Sequence, residues 1–414
     1  MLYRRMRDNG DDLSILGFGC MRLPQKKGSP GDGMIDEPRA ARQLKMAIDQ
    51  GINYLDTAMP YHMGTSEPFL GKALSDGYRE KVKLATKLPH WSVKASDDMG
   101  RLLSSQLKRL NTEQVDYYLV HALDGSSWER MQSLGVCEFL KDAKTRGLIA
   151  NAGFSFHGSR NSFEKIIDSY DWDFCQIQYN FLDKQNQAGT KGLKYAASKG
   201  LGVIVMEPLR GGLLARQPPT EIAKIWDEAE QERSPSEWAL RWIWNHPEVT
   251  VVLSGMNEES HIQENIRIAG NAHPGSLSED DMDLVERVAR QYRSMMKAGC
   301  TGCHYCMPCS SGVNIPTCFE LFNHLHMFKD ANWAKLNYIA RVGGLFSAPG
   351  KASQCEECGE CEKVCPQKLP ISTMLKDVAS EMEGPFFNTK VWAFKKFMQF
   401  KRWQAIRAGT DKTQ

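Results

Sequence analysis

Eight short apolar runs, separated by amphipathic stretches, recur through the first two-thirds of this 414-residue chain. They lie at Leu13–Gly19, Asn53–Leu55, Lys81–Lys87, Asp116–His121, Leu148–Phe154, Phe174–Tyr179, Gly202–Met206 and Thr250–Leu253. Each is rich in Val, Ile or aromatic residues, the composition of a strand buried on both faces. Helical patterns fall between them, at 37–50, 67–74, 94–110, 129–146, 162–169, 192–199, 236–244 and 258–268, with a further one at 278–296. No glycine fingerprint follows any of the strands, so the alternation predicts an α/β chain closed as a (β/α)8 TIM barrel rather than a doubly wound sheet.

The chain is too long for one ordinary domain, and a barrel to about residue 295 leaves a second domain to be explained. Charge is balanced, with 52 basic and 50 acidic side chains and a formal net charge of +2. That balance gives no general attraction to nucleic acid. The opening residues lead into no apolar segment and no run of 18 apolar residues occurs, so neither an export signal nor a membrane span is expected.

Three of the strand ends carry chemistry. Asp56 ends the run Asn53–Leu55, and the Met59-Pro60 turn brings Tyr61 back over the same end. Lys87 closes the third run and His121 the fourth. Strand C-terminal ends are where barrel enzymes hold their catalytic groups. A phenol with an ordinary pKa near 10 needs a positive neighbour to act as an acid, and a lysine held by a carboxylate supplies one.

The stretch GINYLDTAMPYHMGTSE, from Gly51 to Glu67, with these lysine and histidine strand ends and the GFGCMRLP string, resembles the aldo/keto reductase superfamily over roughly 13–295. The resemblance implies Tyr61 as general acid/base, Lys87 as the modulator of its pKa, Asp56 as the orienter of Lys87, and His121 as the substrate-positioning or relay residue. It also implies cofactor contacts from Gly19 and Met21 on the first strand, Ser155 and Gln176, Met206, Arg210 and Gly211 after strand seven, and Ser254, Gly255, Asn257, Glu264 and Asn265. Where the family has an asparagine after the serine this chain has Phe156, and Met206 replaces the aromatic at the end of strand seven. No basic residue near Asn257 is in place to meet a 2′-phosphate. The cofactor reading is therefore open between NAD(P)H and a flavin, FMN or FAD. His90 and Trp91, just past Lys87, are candidates for the substrate mouth.

Twelve cysteines are present, and nine fall between Cys300 and Cys365. Cys355-x2-Cys358-x2-Cys361-x3-Cys365-Pro366 is a bacterial ferredoxin run, and Cys300-x2-Cys303-x2-Cys306-x2-Cys309 is a near-copy. Crossed ligation predicts two [4Fe-4S] clusters, one on Cys300, Cys303, Cys306 and Cys365, the other on Cys355, Cys358, Cys361 and Cys309. Cys318 is the alternative fourth ligand, or else a buried thiol. About 45 residues separate the runs, with helical patterns at 317–328 and 332–341, which resembles an alpha-helical ferredoxin.

Three regions follow: a barrel over 1–295, a mainly helical iron-sulfur domain over 296–378, and a basic aromatic tail over 379–414. The tail is expected to pack back on the protein ahead of docking a redox partner or touching a membrane. The reading is a cytoplasmic oxidoreductase of a small carbonyl or alcohol, coupled to 4Fe-4S electron transfer, with a ferredoxin or flavoprotein as redox partner. The alternative is an electron-transfer or scaffold subunit with a non-catalytic barrel. Dividing a hydride into single electrons would call for a flavin.

Overall fold

The structure, a computed structural model, describes residues 1–6, 10–26, 34–344, 348–393 and 395–396. The chain divides into two units, one made of Met1–Pro218 and Ile225–Ala289, the other beginning at Arg290 and taking in Pro219–Lys224.

The first unit opens with a hairpin, β1 (Tyr3–Arg5) against β2 (Asp12–Ser14). Eight parallel strands follow: β3 (Leu16–Gly19), β4 (Tyr54–Asp56), β5 (Lys83–Leu88), β6 (Val115–Leu123), β7 (Ile149–Phe156), β8 (Phe174–Gln178), β9 (Gly202–Met206) and β10 (Val251–Ser254). They close in sequence order, with β10 pairing β3, so the expected (β/α)8 barrel is the observed fold. The run Leu13–Gly19 divides at Ile15, its first part serving the hairpin and its second the barrel.

Inside the barrel, Tyr54, Tyr117 and Phe174 pack edge to face, with centroids 5.2 and 5.1 Å apart. Met6 from the hairpin joins this core with Leu119, Ile204 and Val251. Gly153 makes room for it: a Cβ there would stand 2.5 Å from the Phe174 ring.

Outside, α1 (Glu37–Asp49) starts at Asp36, whose side chain accepts from the Arg39 N–H, with Pro38 in the first turn. α2 (Ser66–Ala73) and α3 (Ser96–Leu110) cover β4 and β5, and α3 ends at Asn111 in the left-handed conformation. The pattern at 129–146 proves to be two helices, Gly125–Ser133 and Val136–Thr145. They part at Gly135, whose φ of 80° no helix accommodates.

The second unit is largely helical. Ile315–Phe328, Ala331–Val342 and Ile371–Met382 bury Phe319, Phe322, Tyr338, Val342, Leu375 and Val378. The Tyr338 hydroxyl accepts from the Ala352 N–H and donates to Glu383, both at 2.8 Å. Phe394, Phe397, Phe400 and Trp403 of the tail lie outside the described residues. Among the described residues no helix is long and apolar enough to cross a membrane.

Candidate active site

Asp56 is the last residue of β4, and Lys87 stands next to last in β5, paired in register with Leu119 of β6. Both are buried, Lys87 completely. Lys87 Nζ donates to both Asp56 oxygens, at 2.7 and 2.8 Å, and to the Thr57 carbonyl at 2.9 Å. Its remaining neighbour is the Tyr61 hydroxyl, 3.3 Å away. Tyr61 opens a short turn, Tyr61–Gly64, in which His62 and Met63 take φ of 50° and 54°. His62 Nε2 accepts from the Leu23 N–H at 3.1 Å, tying that turn to the entry strand's loop.

His121 faces Tyr61 from β6, ring centroids 6.3 Å apart. It precedes an irregularity in the β6–β7 ladder, where Ala122 adopts φ of 53° and donates its N–H to Ser155 Oγ at 2.7 Å. Trp91 packs 5.0 Å from the His121 ring and is 45% exposed, so it forms part of the mouth. Arg130 holds His90 in the same loop through its carbonyl, at 2.5 Å.

Burial sets the electrostatics. It pulls Lys87 down and Asp56 up, toward their neutral forms, while their mutual hydrogen bonds and attraction oppose it. The Tyr61 phenol is pushed well above its ordinary value by burial first and then by the charge of Asp56. At rest the phenol thus stands above its ordinary value, with the Lys87 ammonium turned mainly toward Asp56. Burial, with Lys87 nearby, pushes His121 well below the usual imidazole value, so it is neutral at pH 7.

The residues assigned to cofactor contact lie on or beyond β3 and β7 to β10. Gln176 Nε2 lies 3.5 Å from Met206 Sδ, and Asn265 donates to Ser254 Oγ at 3.0 Å. Gly19 stands beside Ser254, and Met21 lies in the turn that follows it. The Asn257 carbonyl accepts from Gln43 at 3.2 Å, while Glu264 accepts from Ser234 and Ser236. Arg210 is buried and donates to Asp183 at 3.0 Å, with Gly211 beyond it in a left-handed conformation. The sequence reading passed over Arg22, which donates to the Gly211 carbonyl at 2.6 Å and packs over Gly255. A lone arginine beside an otherwise apolar strand end was the available signal. It also passed over Gln106 and Arg109, polar residues on the buried face of α3.

A profile of the aldo/keto reductase family matches residues 15–290. The chain belongs to this family.

This aldo/keto reductase is similar to an uncharacterised oxidoreductase of Schizosaccharomyces pombe, at 27% identity over 62% of this chain and 82% of the relative. It is also similar to L-galactose dehydrogenase of Arabidopsis thaliana, at 24% identity over 70% of this chain and 95% of the relative. Among solved structures, the holo form of aldo-keto reductase AKR11C1 from Bacillus halodurans matches at 25% identity and a TM-score of 0.57, covering 70% of this chain and 96% of that one. The aldo/keto reductase is accordingly an oxidoreductase enzyme acting on a small-molecule substrate.

A second profile, of the 4Fe-4S dicluster domain, matches residues 299–369. The two expected groups of cysteines are neighbours in the fold. Cys300, Cys303, Cys306 and Cys365 line one small cavity, and the charges of Cys355 and Cys309 reach Cys361. Yet among the described residues no group of three or more His, Cys, Asp or Glu side chains is placed to hold a metal ion. The two [4Fe-4S] clusters on Cys300, Cys303, Cys306 and Cys365 and on Cys355, Cys358, Cys361 and Cys309, and the relay through them, are therefore corrected. Iron ligation takes deprotonated sulfurs that converge. Cys300 Sγ accepts from the Gly302 N–H at 3.4 Å, and Cys358 Sγ lies 3.8 Å from the Ser310 hydroxyl. Cys318 is a buried thiol set against Tyr338 and the Gly350 carbonyl.

Proposed function

We propose that the barrel reduces a small carbonyl compound to its alcohol, and runs the reverse oxidation, with a nicotinamide dinucleotide as redox cofactor and Tyr61 as proton donor. The observation that carries this reading is the Tyr61 hydroxyl set 3.3 Å from a fully buried Lys87, itself clamped by Asp56.

The strand-end residues fit a nicotinamide. Gln176 Oε1 is buried with no hydrogen-bond partner among the described residues, an acceptor suited to a carboxamide N–H. Ser155 Oγ accepts from Ala122 and retains a proton to donate. Arg22, rather than the Asp183-bound Arg210, is the cation we assign to the pyrophosphate. When bound, the nicotinamide supplies the hydride to the carbonyl carbon. Tyr61 Oη gives its proton to the carbonyl oxygen, which completes the alcohol. The Lys87 ammonium stabilises the phenolate so formed, and Asp56 keeps that ammonium in place. Neutral His121 donates a ring N–H to the carbonyl oxygen and orients it.

Arg39 lies near Asn257 along the chain's fold but is engaged by Glu258 at 2.5 Å and Glu259 at 2.6 Å. Those carboxylates favour a ribose 2′-hydroxyl over a 2′-phosphate, so NAD(H) is the preferred form. The need to divide a hydride for one-electron centres lapses with the relay, and with it that argument for a ferredoxin or flavoprotein partner; a flavin in place of the nicotinamide, suggested by Phe156 and Met206, is the outcome the binding test below distinguishes.

The test is turnover of a carbonyl panel followed by loss of NADH absorbance, with NADH binding followed by tryptophan fluorescence. Saturable binding with turnover of at least one aldehyde or ketone is expected. No binding of either nicotinamide, with no turnover, would overturn the reading.

A further inference from the structure

Behind the strand that carries Lys87 lies a set of polar side chains that touches no reacting atom. Glu67, on α2, has a fully buried side chain. Its Oε1 accepts from Thr86 Oγ1 at 2.6 Å and Gln106 Nε2 at 2.8 Å, and its Oε2 from Arg109 Nε at 2.7 Å. Gln106 Nε2 also donates to the Lys87 carbonyl at 2.9 Å, and its Oε1 accepts from the Tyr118 hydroxyl at 2.9 Å. One glutamine thus joins β5, β6 and the carboxylate. Gly71 permits the approach of the two helices, since a Cβ there would stand 2.4 Å from the Arg109 carbonyl.

A buried carboxylate is costly even when paired, and capping a helix would not require three donors from two other elements. Resting on the carbonyl-reduction reading above, we propose that Glu67, Gln106 and Arg109 are positioning residues that hold Lys87 charged and in register beneath Tyr61. Gln106 fixes the backbone of Lys87. Asp56 is the main support of the ammonium against its burial and Glu67 adds a smaller negative charge, while Arg109, bound to Glu67 Oε2, limits that charge.

Opposite charge changes should therefore act oppositely on Lys87. The ammonium is required, so activity is lost as pH rises through the folded pKa of Lys87, giving the alkaline limb of kcat/KM. Glu67→Gln should move that limb to lower pH and Arg109→Gln to higher pH, each by about half a unit, with KM for NADH unchanged. Arg109→Lys, which keeps the charge, should return the limb to its wild-type position. Gln106→Met, with no change of charge, should lower kcat about tenfold and leave the limb in place. Folding of each variant is checked by near-UV circular dichroism. Should Glu67→Gln not fold, the Arg109→Gln and Arg109→Lys pair decides alone. Limbs that stay put, or that shift in one direction for both charge changes, would overturn the proposal. Tyr61→Phe separates the two levels: if it is inactive while the limbs stay fixed, only the positioning set fails, whereas if it retains full kcat the carbonyl-reduction reading fails.

Discussion

Lys87 Nζ is bound more closely by Asp56, at 2.7 and 2.8 Å, than by Tyr61, at 3.3 Å. The resting site thus keeps its phenol protonated, ready to give the proton away. In the proposed reaction the contact from the Lys87 ammonium becomes an ion pair as the phenolate forms. Differential stabilisation of that kind lowers the barrel's barrier without tightening substrate binding.

Removing either member of the pair should have distinct effects. Lys87→Met should leave the neutral phenol in place and lower kcat by roughly 10²-fold, with little change in KM. Asp56→Asn should leave Lys87 buried opposite a neutral amide and reduce stability by about 3 to 5 kcal/mol. Steady-state kinetics and urea denaturation read the two outcomes. A fully active Lys87→Met, or an Asp56→Asn variant of wild-type stability, would contradict the division of roles.

Stability should fall on mild acidification. His121 is held well below 6.5 by burial and His90 is lowered to about 4 by burial and Arg130. Below an unfolded pKa of about 6.5 the unfolded chain takes up protons that the folded chain refuses. The depressed histidines therefore cost stability progressively as pH falls from 6.5 toward 4, on the order of 1 kcal/mol per pH unit for a fully buried ring. Urea midpoints at pH 7.5, 6.0 and 5.0 should decline, and His121→Gln should flatten the decline. A constant midpoint across that range would contradict the neutral assignment.

Much of this was legible in the chain itself. Parallel strands buried on both faces leave short apolar runs, so the barrel and the strand ends bearing Asp56, Tyr61, Lys87 and His121 could be read before any coordinates. What depends on tertiary partners could not. Arg210 looked suited to a phosphate, but Asp183, 27 positions away, holds it. Phe156 lies inside β7, where a strand expected to end at Phe154 continues because it pairs with β8 as far as Ile177. The cysteine runs show the limit most clearly: the spacing correctly brings Cys300, Cys303 and Cys306 near Cys365, but among the described residues it does not assemble a group placed to hold a metal ion.

Cofactor choice offers a test independent of catalysis. With Arg39 engaged by Glu258 and Glu259, NADH should bind about tenfold more tightly than NADPH. Replacing both acids together, Glu258→Gln with Glu259→Gln, should release the guanidinium and narrow or reverse that ratio. Fluorescence titration of both nucleotides measures it. Tighter NADPH binding by the unaltered protein would show that these carboxylates do not face the adenosine ribose.

The central claim is that Tyr61 delivers the proton, and Tyr61→Phe tests it most directly because it deletes one hydroxyl and leaves the Lys87–Asp56 pair intact. The measurement is single-turnover carbonyl reduction with saturating NADH, in which the chemical step is observed before product release. The account predicts a folded protein that binds NADH as the wild type does and reduces the carbonyl roughly 10²-fold or more slowly. An unchanged single-turnover rate would contradict it.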